Sequence, residues 1–179
     1  GFGVAPQQLG IGASFRYKDW NASFLIEGKS GGQMYSGTNV TMMGYGLHQM
    51  TIPAGGREAG FIPDGVMEDG SPVTISIPQG QQSAYWGRYN DAAEAGIYDS
   101  DYFRMRQMSV GYTFPSSMLE GTFIQAASVS LIGKNLFFLT NSVDNIDPES
   151  AYNAGNSAGL EWFGLAVPRT IGVNVNLKF

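Results

Sequence analysis

The sequence predicts an all-β chain whose antiparallel strands cross a membrane as part of a transmembrane β-barrel. Three observations point there. The closing residues Arg169-Thr-Ile-Gly-Val-Asn-Val-Asn-Leu-Lys-Phe179 alternate without a break: Ile171, Val173, Val175, Leu177 and Phe179 against Thr170, Gly172, Asn174, Asn176 and Lys178. A strand turns successive side chains to opposite faces, so one face is wholly apolar and the other polar. About 9–11 residues of such alternation is what a tilted strand needs to span a bilayer. Composition agrees: 25 glycines and 13% aromatics accompany only 14% charged residues. Finally, no window approaches the roughly 18 apolar residues of a spanning helix, while barrel strands spend half their positions on polar side chains.

The first hairpin comes from residues 9–17 and 20–28. Leu9, Ile11, Ala13, Phe15 and Tyr17 alternate with Gly10, Gly12, Ser14, Arg16 and Lys18, and the pattern restarts at Trp20, Ala22, Phe24 and Ile26. Two alternating runs across so short a break make a β-hairpin. Its polar face holds Arg16 and Glu27, which lipid would tolerate poorly, and Phe15, Tyr17 and Trp20 crowd the turn end as an interfacial girdle would. Residues 30–101 lose the alternation and are punctuated by Gly31-Gly32, Gly55-Gly56, Asp64-Gly65 and Asp69-Gly70, which mark turns of a long loop. Within it Ser83 to Ala95 reads as a short helix, with Ser83 as N-cap and Gly96 beyond its end.

The third strand is 102–114, with Met108, Val110, Tyr112 and Phe114 on one face. Phe103 and Met105 have the wrong parity for that face, so either a bulge near Arg106 resets the register or these residues rise above the membrane. After a turn at Pro115-Ser-Ser comes a fourth strand, 123–137, whose polar face is spoiled by Ile132 and Leu136. A second long loop, 139–168, leads to the closing strand, 169–179. Short turns follow strands one and three and long loops follow strands two and four. That places both loops outside the cell and the C-terminus in the periplasm. The two loops hold twelve of the fifteen acidic residues: eight from Glu58 to Asp101, then Asp144, Asp147, Glu149 and Glu161. That excess is expected to be mostly a solvated outer face, the alternative being a preference for cationic substrates. Five strands cannot close around a hydrated lumen, because the smallest membrane barrels use about eight. The chain is therefore expected to be a fragment, or to be completed by another polypeptide. Gly1-Phe-Gly-Val-Ala-Pro lacks the basic start and apolar core of a signal peptide, so the segment reads as mature or as the tail of something longer.

Several separated motifs stand out: Tyr102-Phe-Arg-Met-Arg-Gln-Met-Ser-Val-Gly-Tyr-Thr-Phe-Pro115, Gly133-Lys-Asn-Leu-Phe137, Asp147-Pro-Glu149, and Pro168-Arg-Thr ahead of a strand ending in Phe179. In this order they resemble SusC/RagA-type TonB-dependent outer-membrane transporters of Bacteroidetes. Upstream, Tyr17-Lys18, Gly31-Gly32, Tyr35-Ser36 and Asp64-Gly65-Val66 also fit, so the likeness covers nearly the whole chain. The resemblance implies that this chain supplies the last five strands of a roughly 22-stranded barrel closed by an N-terminal plug. It implies a multi-pass protein of the outer membrane, bounded by lipid and by the remaining barrel and plug. It further implies a SusD-like surface lipoprotein as partner, import of oligosaccharides or peptides, and energy from TonB through a region not in this sequence. Alternatives are another TonB-dependent receptor, of the siderophore type, and a soluble β-sandwich binding module.

Catalytic and metal chemistry find little footing. There is no cysteine and one histidine, His48, which excludes thiolate sites and His-based triads and reads as a plain polar loop residue. Asp144-Asn-Ile-Asp-Pro-Glu149 holds three carboxylates but lacks the spacing and glycine of an EF-hand loop, so it reads as a turn. The net charge of −5 and the absence of a basic stripe argue against nucleic acid. No cofactor is expected, and no enzyme. The ligand or lid contact candidates are Tyr85, Trp86, Arg88 and Tyr89, where aromatic faces and an Arg suit sugars or peptides; the competing reading is that they pack the loop. Met42, Met43 and Met50 read as gap-fillers. Phe179 is the expected assembly signal, similar to the terminal aromatic of outer-membrane proteins.

Overall fold

The computed structural model describes residues 1–150 and 155–179. Its frame is an open, five-stranded antiparallel meander of β1 (Gln7–Tyr17), β2 (Trp20–Ser30), β5 (Tyr102–Phe114), β6 (Ala126–Asn141) and β8 (Thr170–Lys178), adjacent in that order. β1 and β2 meet across a two-residue turn in which Lys18 takes a left-handed φ of 52°. The β5–β6 connection is longer than the expected turn: it takes residues 115–125 and includes the single helical turn α3 (Ser116–Leu119). β6 also starts three residues later and ends four later than its alternation suggests.

Register makes the two faces explicit. One row across the sheet is Tyr17, Trp20, Tyr112, Val129 and Val175, and the next on that face is Phe15, Ala22, Val110, Leu131 and Val173. Between them runs Arg16, Asn21, Gly111, Ser130 and Asn174 on the opposite face. The polar face is knitted by hydrogen bonds such as Ser23 to Ser109, 2.8 Å between hydroxyl oxygens. Nothing among the described residues covers the apolar face of β8. Every residue of β8 is exposed, and Val173 and Ile171 keep about two thirds of their surface. A soluble sandwich requires a second layer on such a face, and the described residues form none.

The parity problem in β5 is resolved by a bulge. β2 pairs Leu25 with Gln107 but Ile26 with Met105, which leaves Arg106 as the extra residue. Phe103 and Met105 thereby join the apolar face. β6 answers with its own irregularity, pairing Lys134 with Gln107 and Phe137 with Met105, and Asn135 there adopts a φ of 52°.

The residues expected to be open loops build a second body at one end of the sheet. It contains β3 (Gln33–Ser36), α1 (Gly37–Gly44), α2 (Gln79–Gly87), β4 (Ile97–Asp99) and β7 (Leu160–Glu161). The strands form a small sheet in the order β4-β3-β7, so both long loops contribute to it. Most of the buried apolar side chains lie here: Met34, Val40, Met43, Trp86 and Val143. Gly37 packs against the Trp162 ring, where any side chain would collide. The helix expected over Ser83–Ala95 instead begins at Gln79, after Pro78, and Ser83 lies inside it. Proline pre-sets the entry dihedral at no cost in hydrogen bonds, which displaced the Ser cap signal. Past Gly87 the chain continues only as 3₁₀ turns, Arg88–Asp91 and Ala93–Gly96.

Candidate functional site

The bulge at Arg106 aims a second guanidinium beside Arg104 on the polar face of β5. Both meet carboxylates from the second long loop. Arg104 donates to Asp147 at 2.5 Å and to Glu149 at 2.6 Å; Arg106 donates to Glu149 at 2.5 Å and 3.0 Å and to Glu27 of β2 at 2.6 Å. Glu149 also accepts from the Tyr102 hydroxyl, and Arg106 reaches the Asn135 side chain at 2.8 Å. Asp147 is further held by the Val167 amide at 3.0 Å, just ahead of β8. Arg104 is buried, its guanidinium 4.0 Å from the centre of the Phe138 ring. Burial alone would raise the Glu149 carboxyl, but its hydrogen bonds from Arg106 and Tyr102 and both guanidinium charges outweigh that and leave it below the ordinary value. The network therefore clamps the loop to the wall with charges that are paired and hydrogen-bonded, the condition for keeping them buried.

This corrects the reading of Asp144–Glu149 as a plain turn. Asp144 is exposed, as a turn residue would be, while Asp147 and Glu149 are the loop's anchors. The signal in the sequence was two arginines two apart in a strand otherwise poor in charge. A further acid, Glu161, is completely buried and accepts from Ser36, Thr38 and the Gly164 amide, tying the second loop to the first. Asn39 adds to that tie through Asp144 and Asn145. Among the described residues no three His, Cys, Asp or Glu side chains are grouped to hold a metal.

The four contact candidates do come together. Trp86 is buried and stacks on Phe61 at 5.5 Å, a partner sequence reading missed; Tyr85 and Tyr89 lie against the indole edge-on or tilted at 5.0 and 5.1 Å. Arg88 is exposed and, with Ile77, Gln81, Ala84 and Tyr85, lines a shallow groove of about 260 Å³. His48 is not a plain surface residue: it is buried, and its Nδ1 accepts from the Met50 amide at 3.2 Å. Burial lowers its pKa, with Asp144 pulling the other way. Met43 fills the core, but Met50 is exposed, so only part of the methionine expectation holds. Phe179 is exposed and stacks on Phe123 with ring centres 5.6 Å apart.

An antiparallel wall with one uncovered apolar face, a polar face bearing an ionic clamp, and long packed loops at one end has the pattern of a wall segment from a membrane β-barrel. Comparisons place it further. No protein-family model matches the chain. "TonB-dependent receptor P3" of Formosa agariphila is 25% identical over 177 residues, 96% of this chain and 16% of that protein. In fold, the chain is similar to the RagAB peptide transporter, with a TM-score of 0.64 at 16% identity over 99% of this chain and 17% of that one. The RagAB peptide importer in its "closed-closed" state gives 0.65 at 18% identity, over 99% and 18% of the two chains. Its "open-open" state gives 0.63 at 18% identity, over 98% and 17%. The chain is thus similar in sequence to part of a TonB-dependent receptor and in fold to part of the RagAB peptide transporter. The relatives are receptors and transporters, not enzymes, and the chain spans less than a fifth of their length.

Proposed function

We propose that this chain supplies the last five strands of a roughly 22-stranded outer-membrane barrel in a TonB-dependent importer of oligosaccharides or peptides. The observation that carries this reading is the meander with its uncovered apolar face: such a sheet is stable only where lipid meets that face and further strands meet both edges. Val173, Val175 and Leu177 then face lipid, Asn174, Asn176 and Lys178 face the lumen, and the C-terminus is periplasmic. The loop body stands outside, where a SusD-like lipoprotein is the partner and energy arrives from TonB through the rest of the receptor. Tyr85, half-buried, and Arg88, exposed, line the groove, are backed by Trp86 and Tyr89, and are the contact residues for lid or ligand.

Shortening residues 55–95 in the full-length receptor tests the reading. The barrel should remain folded and heat-modifiable while co-purification of the lipoprotein weakens. Unchanged co-purification together with unchanged uptake would show that the lid docks elsewhere.

A further inference from the structure

β6 is longer than its neighbour. Its pairing with β8 ends at Lys134 opposite Thr170, yet the strand continues to Asn141, where among the described residues it pairs only with β5 on its other side. The paired part of β8 is nine residues, Thr170–Lys178. At about 3.3 Å per residue and the usual tilt, that already crosses an apolar band of roughly 25 Å. The stretch Asn135–Asn141 therefore stands above the lipid, where a half-paired strand edge is permitted.

A cavity of about 450 Å³ lies along that edge. It is lined by Asn135 and Phe138, which belong to the polar face, and by Leu136 and Phe137, which belong to the apolar one. A space that touches both faces of one strand lies at the strand's edge. Its far wall is the descending segment with Gly164, Ala166 and Val167, closed at the bottom where Asn135 Nδ2 donates to the Pro168 carbonyl at 3.2 Å. Arg169 sits at this closed end, exposed and without an ion pair among the described residues.

Resting on the importer reading above, we propose that this slot binds an extended peptide by adding it as a strand to the free edge of β6, with Arg169 receiving its C-terminal carboxylate. A strand edge offers alternating N–H and C=O groups, which match another backbone whatever its side chains and do not match a sugar. The volume is within the range of ligand pockets. The free cation at the closed end complements a terminal carboxylate and fixes the direction of entry. Substrate selection at this position is accordingly by backbone, tolerant of sequence and biased against glycans.

The test uses the purified full-length receptor with its lipoprotein and three versions of one fluorescein-labelled Ala/Ser peptide of about ten residues. One has a free C-terminus, one is amidated, and one is N-methylated at alternate amides. N-methylation removes donors on one edge only and should weaken binding by at least about tenfold, the loss of one to two hydrogen bonds. Amidation should weaken it several-fold, and Arg169→Gln should abolish that difference while leaving the amidated peptide unaffected. Equal binding of all three peptides, or a carboxylate preference that survives Arg169→Gln, overturns the proposal. Binding of a glycan but of no peptide overturns it too, yet leaves the importer reading standing. Absence of TonB-dependent uptake of any solute by cells expressing the receptor overturns that reading itself.

Discussion

Replacing Glu149 with Gln in the full-length receptor should release the second loop from the wall without unfolding the barrel. The carboxylate accepts four hydrogen bonds, one each from Tyr102 and Arg104 and two from Arg106, and so ties its loop to three residues of β5, of which Arg104 is also held by Asp147. Removing one partner of a buried pair costs about 3–5 kcal/mol. The side chains of Glu149 and Arg106 retain 16% and 22% of their exposure, and Arg104 keeps Asp147, so about 3 kcal/mol is the better figure. In local opening that is a factor on the order of a hundred. Hydrogen exchange of residues 142–150 should accelerate by that factor, while amides of β5 and β6 below the bulge stay protected. The same carboxyl makes docking pH-dependent. Its folded pKa lies below the ordinary 4.5, so its contribution is complete above that value and is lost as pH falls through the folded one. Loop exchange should therefore rise on acidification below about pH 4.5 in the wild type. In the Gln variant it should already be fast and change much less. Exchange within twofold of wild type at neutral pH would refute the clamp.

Arg at Val175 should cost about 2–4 kcal/mol of barrel stability in lipid if the site is near the midplane, and Arg at Asn174 little; equal effects would show that the facing is wrong. Deleting Phe179, which also removes its stack on Phe123, should lower the amount of heat-modifiable barrel without altering transport by what assembles, and normal surface levels would sink the idea. Trp86→Ala should destabilise the loop body by about 3–5 kcal/mol and show as new protease cuts between residues 55 and 95. Arg88→Ala, at an exposed position, should leave that cleavage pattern unchanged while reducing lid or ligand binding, so parallel behaviour of the two variants would deny the groove a contact role.

The wall was readable because each strand carries its facing in a period of two, and even the misfit of Phe103 and Met105 pointed to the bulge that corrects it. The loop body was not, since its core is assembled from distant pieces with no period. Ser36 meets Glu161 across 125 positions, and β3 lies parallel to β7. The acidic excess is mostly the solvated surface expected, with Glu58, Asp64, Glu68, Asp69, Asp91, Glu94, Asp99 and Asp144 exposed, and the expectation fails at three residues for the same reason. Asp147 and Glu161 are buried and Glu149 is largely so, and each has partners that no local window contains. For Trp86 the packing reading offered by the sequence is the one that holds, but its partner Phe61, 25 residues earlier, could not be read from it.

The two bodies answer to different solvents, and that explains why charge joins them. Water drives the loop body together around Met34, Val40, Met43 and Trp86. In the barrel proposed above it would have no such hold on the wall, whose apolar side chains would meet lipid tails as readily as one another and whose order would rest on the backbone ladder. A joint made of apolar contacts at their boundary would slide along the wall, because the apolar face offers many equivalent positions. Two guanidiniums fixed by a bulge offer one position. Arg106 is the extra residue of its strand, so its side chain is aimed by a local backbone irregularity, and the geometry of Glu27, Asn135 and Glu149 around it selects a single seat for the loop. The clamp then contributes register more than stability, which is the best-attested use of buried charge. It sets where the descending segment Gly164–Arg169 runs, through Asp147 and the Val167 amide, and so sets the width of the slot beside β6.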